Sequence, residues 1–372
     1  MRRLQLCLIG VLAFGGAIPT RAAEMRGLWV DAFHPGFKSA TETSAMVTKA
    51  KECNFNALFV QVRKRGDVYY SSAIEPRAHD IAPGYDPLAD VVSKAHANGL
   101  EVHAWIAVYE VYHDTKWNTT DPRQVHARHP EWLMKDVNGK YKFPGDKVYL
   151  DPGLPEVQAY LIGIIDELVR NYDVDGIHLD IARYPGREGG YNDGSIALFN
   201  QETSRTGIPE PDDEAWCNWR RRQVTNLVRG VYQTAVGIRS RVKVSAAVFT
   251  NKSNAMDDLF QDWEGWLRAG ILDSAVPMAF AKDNRVFRST TQEMVASGNG
   301  RHIYIGQGGW KMSAANSLEQ IQLVRTAGAE GTVIYSYHYC SRVAAGASGS
   351  LMDALKAGPF SQPDTVPILA WK

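Results

Sequence analysis

Eight short hydrophobic runs recur along the chain, and most of them precede a segment with helical periodicity. They occupy residues 25–30, 57–62, 101–108, 177–181, 242–249, 274–280, 302–306 and 332–337. Strands that alternate with helices pair in parallel, because each helix returns the chain to the same end of the sheet. Eight repeats therefore predict an α/β fold, a single closed (β/α)8 TIM barrel rather than an open sheet. Pro277 is awkward in the sixth run because it lacks the N–H that a central strand donates.

The segments between the runs carry helix signals. Pro155 begins a predicted helix with an apolar stripe along one face. Ser317 with Gln320, and Ser350 with Asp353, have the spacing of a capping box, which predicts a helix start at each serine.

Two predicted connections are much longer than a join requires, namely residues 109–154 after the third strand and residues 183–214 after the fourth. Both leave the carboxyl-terminal ends of their strands, the face on which such barrels bind ligands. The first is rich in aromatic residues, including Trp117 and Trp132, and the second contains Tyr184. We predict that these three side chains line a binding groove.

The fourth run, within DVDGIHLDIARYPG, has two unlike faces. Aliphatic residues at positions 177, 179 and 181 alternate with His178 and Asp180. The aliphatic face is predicted to meet surrounding helices, and the other face to point into the barrel. Asp180 then lies near the carboxyl end of its strand, where barrels hold their chemistry. The alternative is that Asp180 only pairs with Arg183 or caps a loop.

The same exclusion of aliphatic positions predicts the inward residues of other strands. These are Trp29 and Asp31 on the first strand, Gln61 and Arg63 on the second, His103, Trp105 and Tyr109 on the third, and Tyr335 and Tyr337 on the eighth. Aromatic rings can stack on the apolar faces of sugars, while polar side chains bond their hydroxyl groups. Each ring taken alone is explained by core packing, but the set predicts a carbohydrate site. Its predicted substrate contacts include Trp29, Asp31, Arg63, His103, Trp105, Tyr109, His178 and Tyr337.

Hydrolysis of a glycosidic bond uses two carboxyl groups, one to protonate the leaving oxygen and one as nucleophile or base. Asp180 is predicted to be one of them. Glu110 directly follows the third strand and is predicted to be the second, acting as general acid. Four other carboxyl groups near predicted strand ends keep the choice open: Asp31, Asp67, Asp151 and Asp283.

Charge and composition exclude several other functions. Lys+Arg and Asp+Glu are both 41, so no net charge attracts nucleic acid. The ten histidines form no His-x-His or His-x-x-x-His pair, and no glycine-rich phosphate loop or nucleophile elbow occurs. We therefore predict no metal and no cofactor. The alternative hypothesis is a metal site that includes His103 and His178.

Residues 1–22 have the pattern of a secretory signal peptide. Arg2 and Arg3 precede an apolar run, and small residues at Thr20 and Ala22 fit a cleavage site. We therefore predict export to the periplasm or the cell exterior, with one barrel domain over residues 23–357 and a tail, residues 358–372, packed on it. A monomer is expected, and no other stretch is long and apolar enough for stable membrane insertion.

Four stretches of the chain form a recognisable set: MRGLWV at Met25, FVQVRKRGDVYYSSAIEP from Phe59, YDPLADVVSKAHANGLEVHAW from Tyr85 and VDGIHLDIARYP from Val174. Together they resemble the glycosyl hydrolase-like 10 family of bacterial barrel proteins. The resemblance covers most of the chain in the expected order. It implies a (β/α)8 barrel and hydrolysis of a glycan, with bacterial cell-wall glycan among the candidate substrates.

The chain departs from the family pattern around the predicted mouth. Ile181 stands where many relatives have a second Asp, residues 107–110 replace Asn-Pro-Tyr-Arg, and residues 246–249 replace Ser-Pro-Phe-Gly. Three hypotheses follow. The first is a glycoside hydrolase that acts on a polysaccharide or oligosaccharide. The alternatives are a carbohydrate-binding protein without turnover and a metal-dependent hydrolase.

Overall fold

Ten strands and eleven α-helices alternate along the part of the chain that the structure describes. The structure is a computed structural model, and it describes residues 23–113, 121–343 and 348–372. In chain order the elements are β1 (Met25–Val30), α1 (Ala40–Glu52), β2 (Ala57–Arg63), α2 (Pro87–Ala97), β3 (Glu101–Ala107), β4 (Glu110–His113), α3 (Val125–Arg128), β5 (Lys147–Tyr149), α4 (Pro155–Asn171), β6 (Gly176–Asp180), α5 (Asp193–Thr203), α6 (Glu214–Ile238), β7 (Lys243–Val248), α7 (Trp263–Arg268), β8 (Ser274–Pro277), α8 (Asn284–Ala296), β9 (His302–Gly308), α9 (Ala314–Ala327), β10 (Gly331–Tyr335), α10 (Tyr337–Cys340) and α11 (Leu351–Ala357). Short turns of 3₁₀ helix (Pro130–Trp132) and π helix (Asn254–Asp258) occur in the connections.

Eight of the strands close into a parallel barrel in the order β1-β2-β3-β6-β7-β8-β9-β10, with β10 returning to β1. Each of the eight hydrophobic runs forms one barrel strand, so the predicted (β/α)8 fold is confirmed. β8 ends at Pro277, so the missing N–H falls at the end of the strand.

The barrel separates two layers of apolar side chains. Residues such as Leu28, Val60 and Leu179 point outward and join the core beneath the helices. Trp29 and Phe59, their neighbours in sequence, fill the barrel interior together with Met25, Ala57, Trp105, Ala247, Val276, Tyr304 and Val333. Strand alternation therefore places each class of side chain in its own layer.

The long connection after β3 contains an antiparallel hairpin that sequence analysis did not predict. β4 pairs with β5, and Glu110 lies opposite Tyr149. Strands of four and three residues are too short to show an alternation of hydrophobic and polar positions. The hairpin lies at the carboxyl end of the barrel, because it begins three residues after β3 ends.

The predicted helix starts have different outcomes. Pro155 is the first residue of α4, and Ser350 forms a capping box with Asp353. The prediction for Ser317 is wrong, because α9 begins one turn earlier. Ser313 caps that helix by accepting the N–H of Asn316 at 3.2 Å.

Residues 358–372 lie against the opposite, amino-terminal end of the barrel. Trp371 Nε1 donates to Asp273 Oδ1 at 2.9 Å, and Lys372 Nζ lies 3.0 Å from the other oxygen of this carboxylate. Asp273 directly precedes β8, and Val366 packs against the side chains inside the barrel. No helix within the described ranges has the length and hydropathy needed to cross a bilayer.

Candidate active site

A cavity of about 280 Å³ opens at the carboxyl-terminal end of the barrel. Strands β1, β3, β6, β7 and β10 contribute to its wall, together with the segments that follow β8 and β9. Its lining residues are Trp29, Trp105, Asp180, Ala247, Met278, Phe280, Trp310 and Tyr335. Asp180 is the only carboxyl group among them, and most of the surrounding surface is aromatic.

Asp180 is the last residue of β6, and its carboxyl group is fixed by two hydrogen bonds. Trp105 Nε1 donates to Oδ2 at 3.1 Å, and the backbone N–H of Ile181 donates to Oδ1 at 2.8 Å. Ile181 has a φ of 55°, in the left-handed region that β-branched residues rarely adopt. Its strained backbone turns the N–H back toward the preceding carboxylate.

The electrostatic setting of Asp180 is that of a desolvated acid. Burial raises the pKa of its carboxyl group, and the nearby Arg183 guanidinium and the two hydrogen bonds oppose this increase. Arg183 acts on Asp180 through its charge. Its Nη1 donates to Tyr184 O at 3.1 Å, and its guanidinium lies over the ring of Phe249. The carboxyl group thus faces the cavity with a cation close by.

His178 lies beneath the cavity and orients one of its walls. Trp29 Nε1 donates to His178 Nε2 at 3.1 Å, so Nε2 is the acceptor and the ring proton is on Nδ1. Nδ1 lies 2.8 Å from Ser245 Oγ. Burial keeps the pKa of His178 well below its usual value, so the ring is neutral. His178 is fully buried and therefore acts on the cavity through Trp29.

Asp31 follows β1 and reaches the surface through His34. Its Oδ1 accepts the N–H of Phe33 at 3.1 Å and lies 2.7 Å from His34 Nδ1, while Oδ2 accepts from Ser336 Oγ at 2.8 Å. Asp31 is only 2% exposed, whereas His34 is partly exposed. Because it is buried, Asp31 is better placed to orient the His34 imidazole than to contact a ligand itself.

Glu110 begins the β4–β5 hairpin and is held by two cations. Arg65 Nε lies 3.3 Å from Oε1, and Lys147 Nζ lies 3.0 Å from Oε2. The residue is 4% exposed and does not line the mouth cavity. It is nevertheless close enough to raise the pKa of Asp180 through charge repulsion. Glu110 is thus a neighbour of Asp180, and the two cations compensate the negative charge of Glu110.

The other three candidate carboxyl groups have structural partners. Asp67 is buried in the loop after β2, and burial raises its pKa. Asp151 is fully buried and accepts from Ser195 Oγ at 2.8 Å, and burial raises its pKa to about 6. Asp283 caps α8 on the protein surface. None of the three lines the mouth cavity.

The structure does not bring Arg63 or His103 to the mouth. Arg63 is fully buried and makes two 2.7 Å hydrogen bonds to Glu75, because the β2–β3 register shifts between Gln61 and Arg63. His103 points into the barrel as predicted but stacks on Phe59 near the amino-terminal end of β3. Both side chains lie out of reach of a ligand at the mouth.

The predicted tyrosine contacts also lie away from the cavity. Tyr109 and Tyr184 are completely buried behind the mouth, near Asp151. Tyr337 belongs to α10 and packs against Gly36 and the outer core. Their aromatic character reflects packing between the loops and the barrel.

Trp132 lines a second cavity, of about 500 Å³, in the connection after β3. Its ring stacks on His129 at a centroid distance of 3.7 Å, and Tyr141 and Lys135 lie nearby. This cavity shares no lining residue with the mouth cavity. Trp117 lies outside the described residues.

Of the predicted substrate contacts, Trp29 and Trp105 do line the mouth cavity, and five further lining residues were missing from the predicted set, namely Ala247 on β7 and four larger side chains. Met278, Phe280 and Trp310 follow β8 and β9, and Tyr335 ends β10. Tyr335 was predicted to point inward, but no role was assigned to it. The sequence feature that could have identified these four residues is a large apolar side chain within three residues of each strand end.

Within residues 23–113, 121–343 and 348–372, no three His, Cys, Asp or Glu side chains are grouped as metal ligands would be. His178 and His103 are separated by their different positions along the barrel, and both nitrogens of His178 have protein partners. The described residues therefore provide no preformed ligand set for a metal.

Comparison with known proteins gives the family. A model of the family described as glycosyl hydrolase-like 10 matches residues 24–320, which is most of the chain and includes every barrel strand up to β9. The chain belongs to the glycosyl hydrolase-like 10 family. The resemblance inferred from the sequence motifs is thereby confirmed, and the chain has a glycoside hydrolase-like role.

Two curated bacterial relatives carry glycosyl hydrolase names. Glycosyl hydrolase YngK of Bacillus subtilis (strain 168) is 26% identical over 364 residues, covering 88% of this chain and 68% of the relative. Glycosyl hydrolase DigH of Escherichia coli (strain K12) is 28% identical over 302 residues, covering 69% of this chain and 65% of the relative. The chain therefore spans about two thirds of the length of these relatives.

Solved structures support the fold. The PgaB (BpsB) glycoside hydrolase domain from Bordetella bronchiseptica superposes with a TM-score of 0.61 at 13% identity, over 84% of this chain and 94% of that one. The catalytic domain of β-amylase from Paenibacillus polymyxa gives a TM-score of 0.64 at 11% identity, over 91% and 99%. At such low identity these similarities concern the barrel and not the substrate.

Proposed function

We propose that the chain hydrolyses glycosidic bonds in a polysaccharide or oligosaccharide, with Asp180 as the catalytic carboxyl group. The observation that carries the proposal is the position of Asp180 in the aromatic cavity at the carboxyl end of the barrel. This is the end at which barrel enzymes place their reacting groups. Family membership independently supports a glycoside hydrolase-like role.

The cavity walls suit a sugar ring. Trp29, Trp105 and Tyr335 provide aromatic planes around Asp180, with ring centroids 6.1 to 6.4 Å apart. Such planes cover the apolar faces of a pyranose and exclude water from the bond to be cleaved. Trp29 is held in place from below by His178, so the wall is ordered before a substrate arrives.

Asp180 is proposed to protonate the leaving oxygen. Burial raises its pKa, which favours the protonated state that a general acid needs. Once the proton has left, the carboxylate is stabilised by Trp105, by the Ile181 N–H and by the nearby Arg183. These groups limit the cost of leaving a charge in a poorly solvated site.

Glu110 is proposed as the anionic partner of Asp180 because it lies close enough to act on the pKa of Asp180, although it stands beside the mouth cavity and not in its wall. Two ion pairs, with Arg65 and Lys147, compensate its charge. A carboxylate in this setting suits the second role in glycoside hydrolysis, that of nucleophile or base, better than proton donation. Asp31 remains the rival for this role, because its partner His34 reaches the surface near the mouth.

Secretion is part of the proposal. Support comes from the sequence of residues 1–22, whose basic, apolar and small-residue segments match a signal peptide. We propose that the mature chain is monomeric and acts in the periplasm or outside the cell, where cell-wall glycan is a candidate substrate. Amino-terminal sequencing and fractionation of the producing cells would test this. Intact residues 1–22 in a cytoplasmic protein would contradict it.

One observation favours a second function, carbohydrate binding without turnover. The resemblance to the family implies a second Asp directly after Asp180, and Ile181 occupies that place. A barrel that had lost one catalytic carboxyl group would keep its aromatic walls and its affinity. Turnover measurements separate the two functions.

The test compares the wild type with Asp180→Asn on a panel of polysaccharides and defined oligosaccharides, with and without EDTA. Asp180→Asn should lower turnover by about 10³-fold or more, because the ionisable group is lost while the shape is retained. Asp166→Asn, on the exposed face of α4, is the matched control and should retain activity.

Three outcomes would contradict the proposal. Retention of more than about a tenth of the turnover in Asp180→Asn would reassign the catalytic group. Binding without hydrolysis by the wild type, on every glycan of the panel, would establish the binding function. Complete inhibition by EDTA, reversed by added metal, would establish a metal-dependent hydrolase.

A further inference from the structure

Three exposed aromatic residues lie on the rim of the mouth cavity. Phe33 is 49% exposed, Trp310 38% and Tyr339 39%. Phe33 follows β1, Trp310 follows β9, and Tyr339 belongs to α10 directly after β10. Together with His34 they form what we call the rim strip, which crosses the carboxyl ends of three consecutive barrel strands.

The rim strip is continuous with the cavity. Trp310 lines the cavity, and its ring lies 5.2 Å from that of Tyr335 in the cavity wall. Tyr339 lies 6.4 Å from both Trp310 and Tyr335, and 5.4 Å from His34. A ligand that leaves the cavity beside Trp310 therefore meets one ring after another as far as His34, and Phe33 directly precedes His34 in sequence.

His34 provides a polar group within this aromatic surface. Its Nδ1 bonds to Asp31 at 2.7 Å, and its ring stacks on His338 at 3.9 Å. Ser336 fixes Asp31 in turn. These contacts hold the imidazole in one orientation and leave its Nε2 available to bond a hydroxyl group. A fixed polar atom between exposed rings suits a sugar better than a purely apolar ligand.

Cations hold both ends of the rim strip. Lys311 Nζ lies 5.1 Å from the centroid of Trp310, and the Arg65 guanidinium lies 5.0 Å from the centroid of Phe33. Such contacts restrain exposed rings before a ligand arrives, which reduces the entropy lost on binding. They also place donors for hydroxyl groups at the edges of the strip.

Packing in the core does not explain why these rings are exposed. A single exposed apolar side chain is ordinary, whereas a contiguous series that adjoins a cavity marks a binding surface. We propose that the rim strip is the part of the binding site on which a glycan chain longer than a disaccharide lies, extending from the cavity across the ends of β9, β10 and β1. The choice of a glycan as ligand rests on the proposed function.

The test measures binding in the Asp180→Asn background, so that turnover does not interfere. Ladders of chito-, cello- and malto-oligosaccharides with two to six units serve as probes, and calorimetry gives Kd for the dimer and the hexamer of the best-bound ladder. The double variant Phe33→Ala/Tyr339→Ala should weaken hexamer binding by about tenfold more than dimer binding, since only the hexamer reaches both rings.

Ile368→Ala is the control. Ile368 is 88% exposed but lies near Glu101 and Lys243, at the opposite end of the barrel. Its replacement should leave both dissociation constants unchanged. Equal weakening of dimer and hexamer in the double variant, no weakening of either, or failure of the Asp180→Asn protein to bind any hexamer would overturn the proposal.

The outcome is separable from that of the proposed function. If the wild type hydrolyses glycans but the Phe33→Ala/Tyr339→Ala variant binds dimer and hexamer as tightly as its parent, only the proposal for the rim strip is refuted. Chain-length-dependent binding through Phe33 and Tyr339, in a protein that hydrolyses no glycan, would refute only catalysis.

Discussion

Trp105 donates its indole N–H to Asp180, with Nε1 3.1 Å from Oδ2, and the two residues lie on the neighbouring strands β3 and β6. The contact has two consequences. It fixes the rotamer of the carboxyl group that faces the cavity. It also favours the ionised state, and so it opposes the effect of burial on the pKa of Asp180.

Trp105→Phe keeps a ring in the cavity wall and removes this donor. The pKa of Asp180 should therefore rise further, because the carboxylate loses a stabilising hydrogen bond. If Asp180 acts as the general acid, the basic limb of the kcat profile moves to higher pH. Loss of orientation should also lower kcat/KM by about tenfold, equivalent to one hydrogen bond of about 1.4 kcal/mol.

The matched control is Trp266→Phe, which removes another buried indole donor, the one that bonds Thr225 at 2.9 Å away from the mouth. Its pH profile should be that of the wild type. A shift of the acidic limb in Trp105→Phe, instead of the basic limb, would show that Asp180 works in its ionised form as nucleophile or base.

Leaving-group dependence distinguishes the roles of Asp180 and Glu110. Asp180→Asn should impair natural glycosides far more than activated aryl glycosides, which need little protonation. Glu110→Gln should impair both substrate types to a similar extent, because the group it removes does not donate the proton. Rates for paired substrates in both variants provide the measurement.

The opposite pattern would restore the role that the sequence predicts for Glu110. If Glu110→Gln spares aryl glycosides and Asp180→Asn does not, Glu110 is the acid. A variant at Glu110 also breaks two ion pairs, so thermal unfolding should accompany the kinetics. Lys147→Met removes only one of these cations and controls for the loss of stability.

The fold was predictable because strand and helix periodicities are local properties of the sequence. The site was predictable where a residue is both inward-facing and close to the carboxyl end of its strand, as Asp180 and Trp105 are. His103 shares the inward face of Trp105, but it is only two residues into a seven-residue strand. Alternation predicts which face of the sheet a side chain is on. Its position along the barrel axis also depends on where the strand begins and ends.

Other parts of the site depend on contacts that no local pattern records. A register shift in β2 directs Arg63 toward Glu75, and alternation alone cannot predict such an irregularity. Phe280 and Trp310 lie beyond their strands, where the chain direction is set by loop packing. The rim strip likewise combines loops that are distant in sequence, including Phe33 and Tyr339.

Arg63 is expected to stabilise the fold and not to bind substrate. It is completely buried, bonds both oxygens of Glu75, and also donates to Val108 O at 3.1 Å. Arg63→Met should lower the free energy of unfolding by about 3–5 kcal/mol, because it leaves the buried Glu75 carboxylate without its cationic partner. Urea denaturation at neutral pH gives this value.

The double variant Arg63→Met/Glu75→Gln is the control, since it removes the charge that the single variant leaves unpaired. It should recover part of the lost stability. If Arg63→Met leaves unfolding unchanged and raises KM, the side chain contacts substrate, and its predicted role as a substrate contact would hold.

Asp151 gives the chain a specific dependence of stability on pH. Its carboxyl group has a pKa of about 6 in the folded protein, raised by burial, whereas an unfolded Asp has a pKa of about 3.9. Between these values the unfolded chain is ionised while the folded chain holds the proton. The folded state therefore binds more protons, and the stability that Asp151 contributes falls as pH rises.

The loss should approach about 3 kcal/mol between about pH 4 and pH 7, at roughly 1.4 kcal/mol for each unit of pKa difference. Asp151→Asn removes the titrating group, so the unfolding free energy of the wild type minus that of the variant should decline over this range. Urea titrations of both proteins across the range give the difference, in which the other ionisable groups cancel. Asp166→Asn, which removes an exposed carboxyl group, controls for the change in net charge. A difference that stays level, or that grows with pH, would mean that Asp151 is already ionised in the fold, held by Ser195 and by the backbone N–H of Gly153.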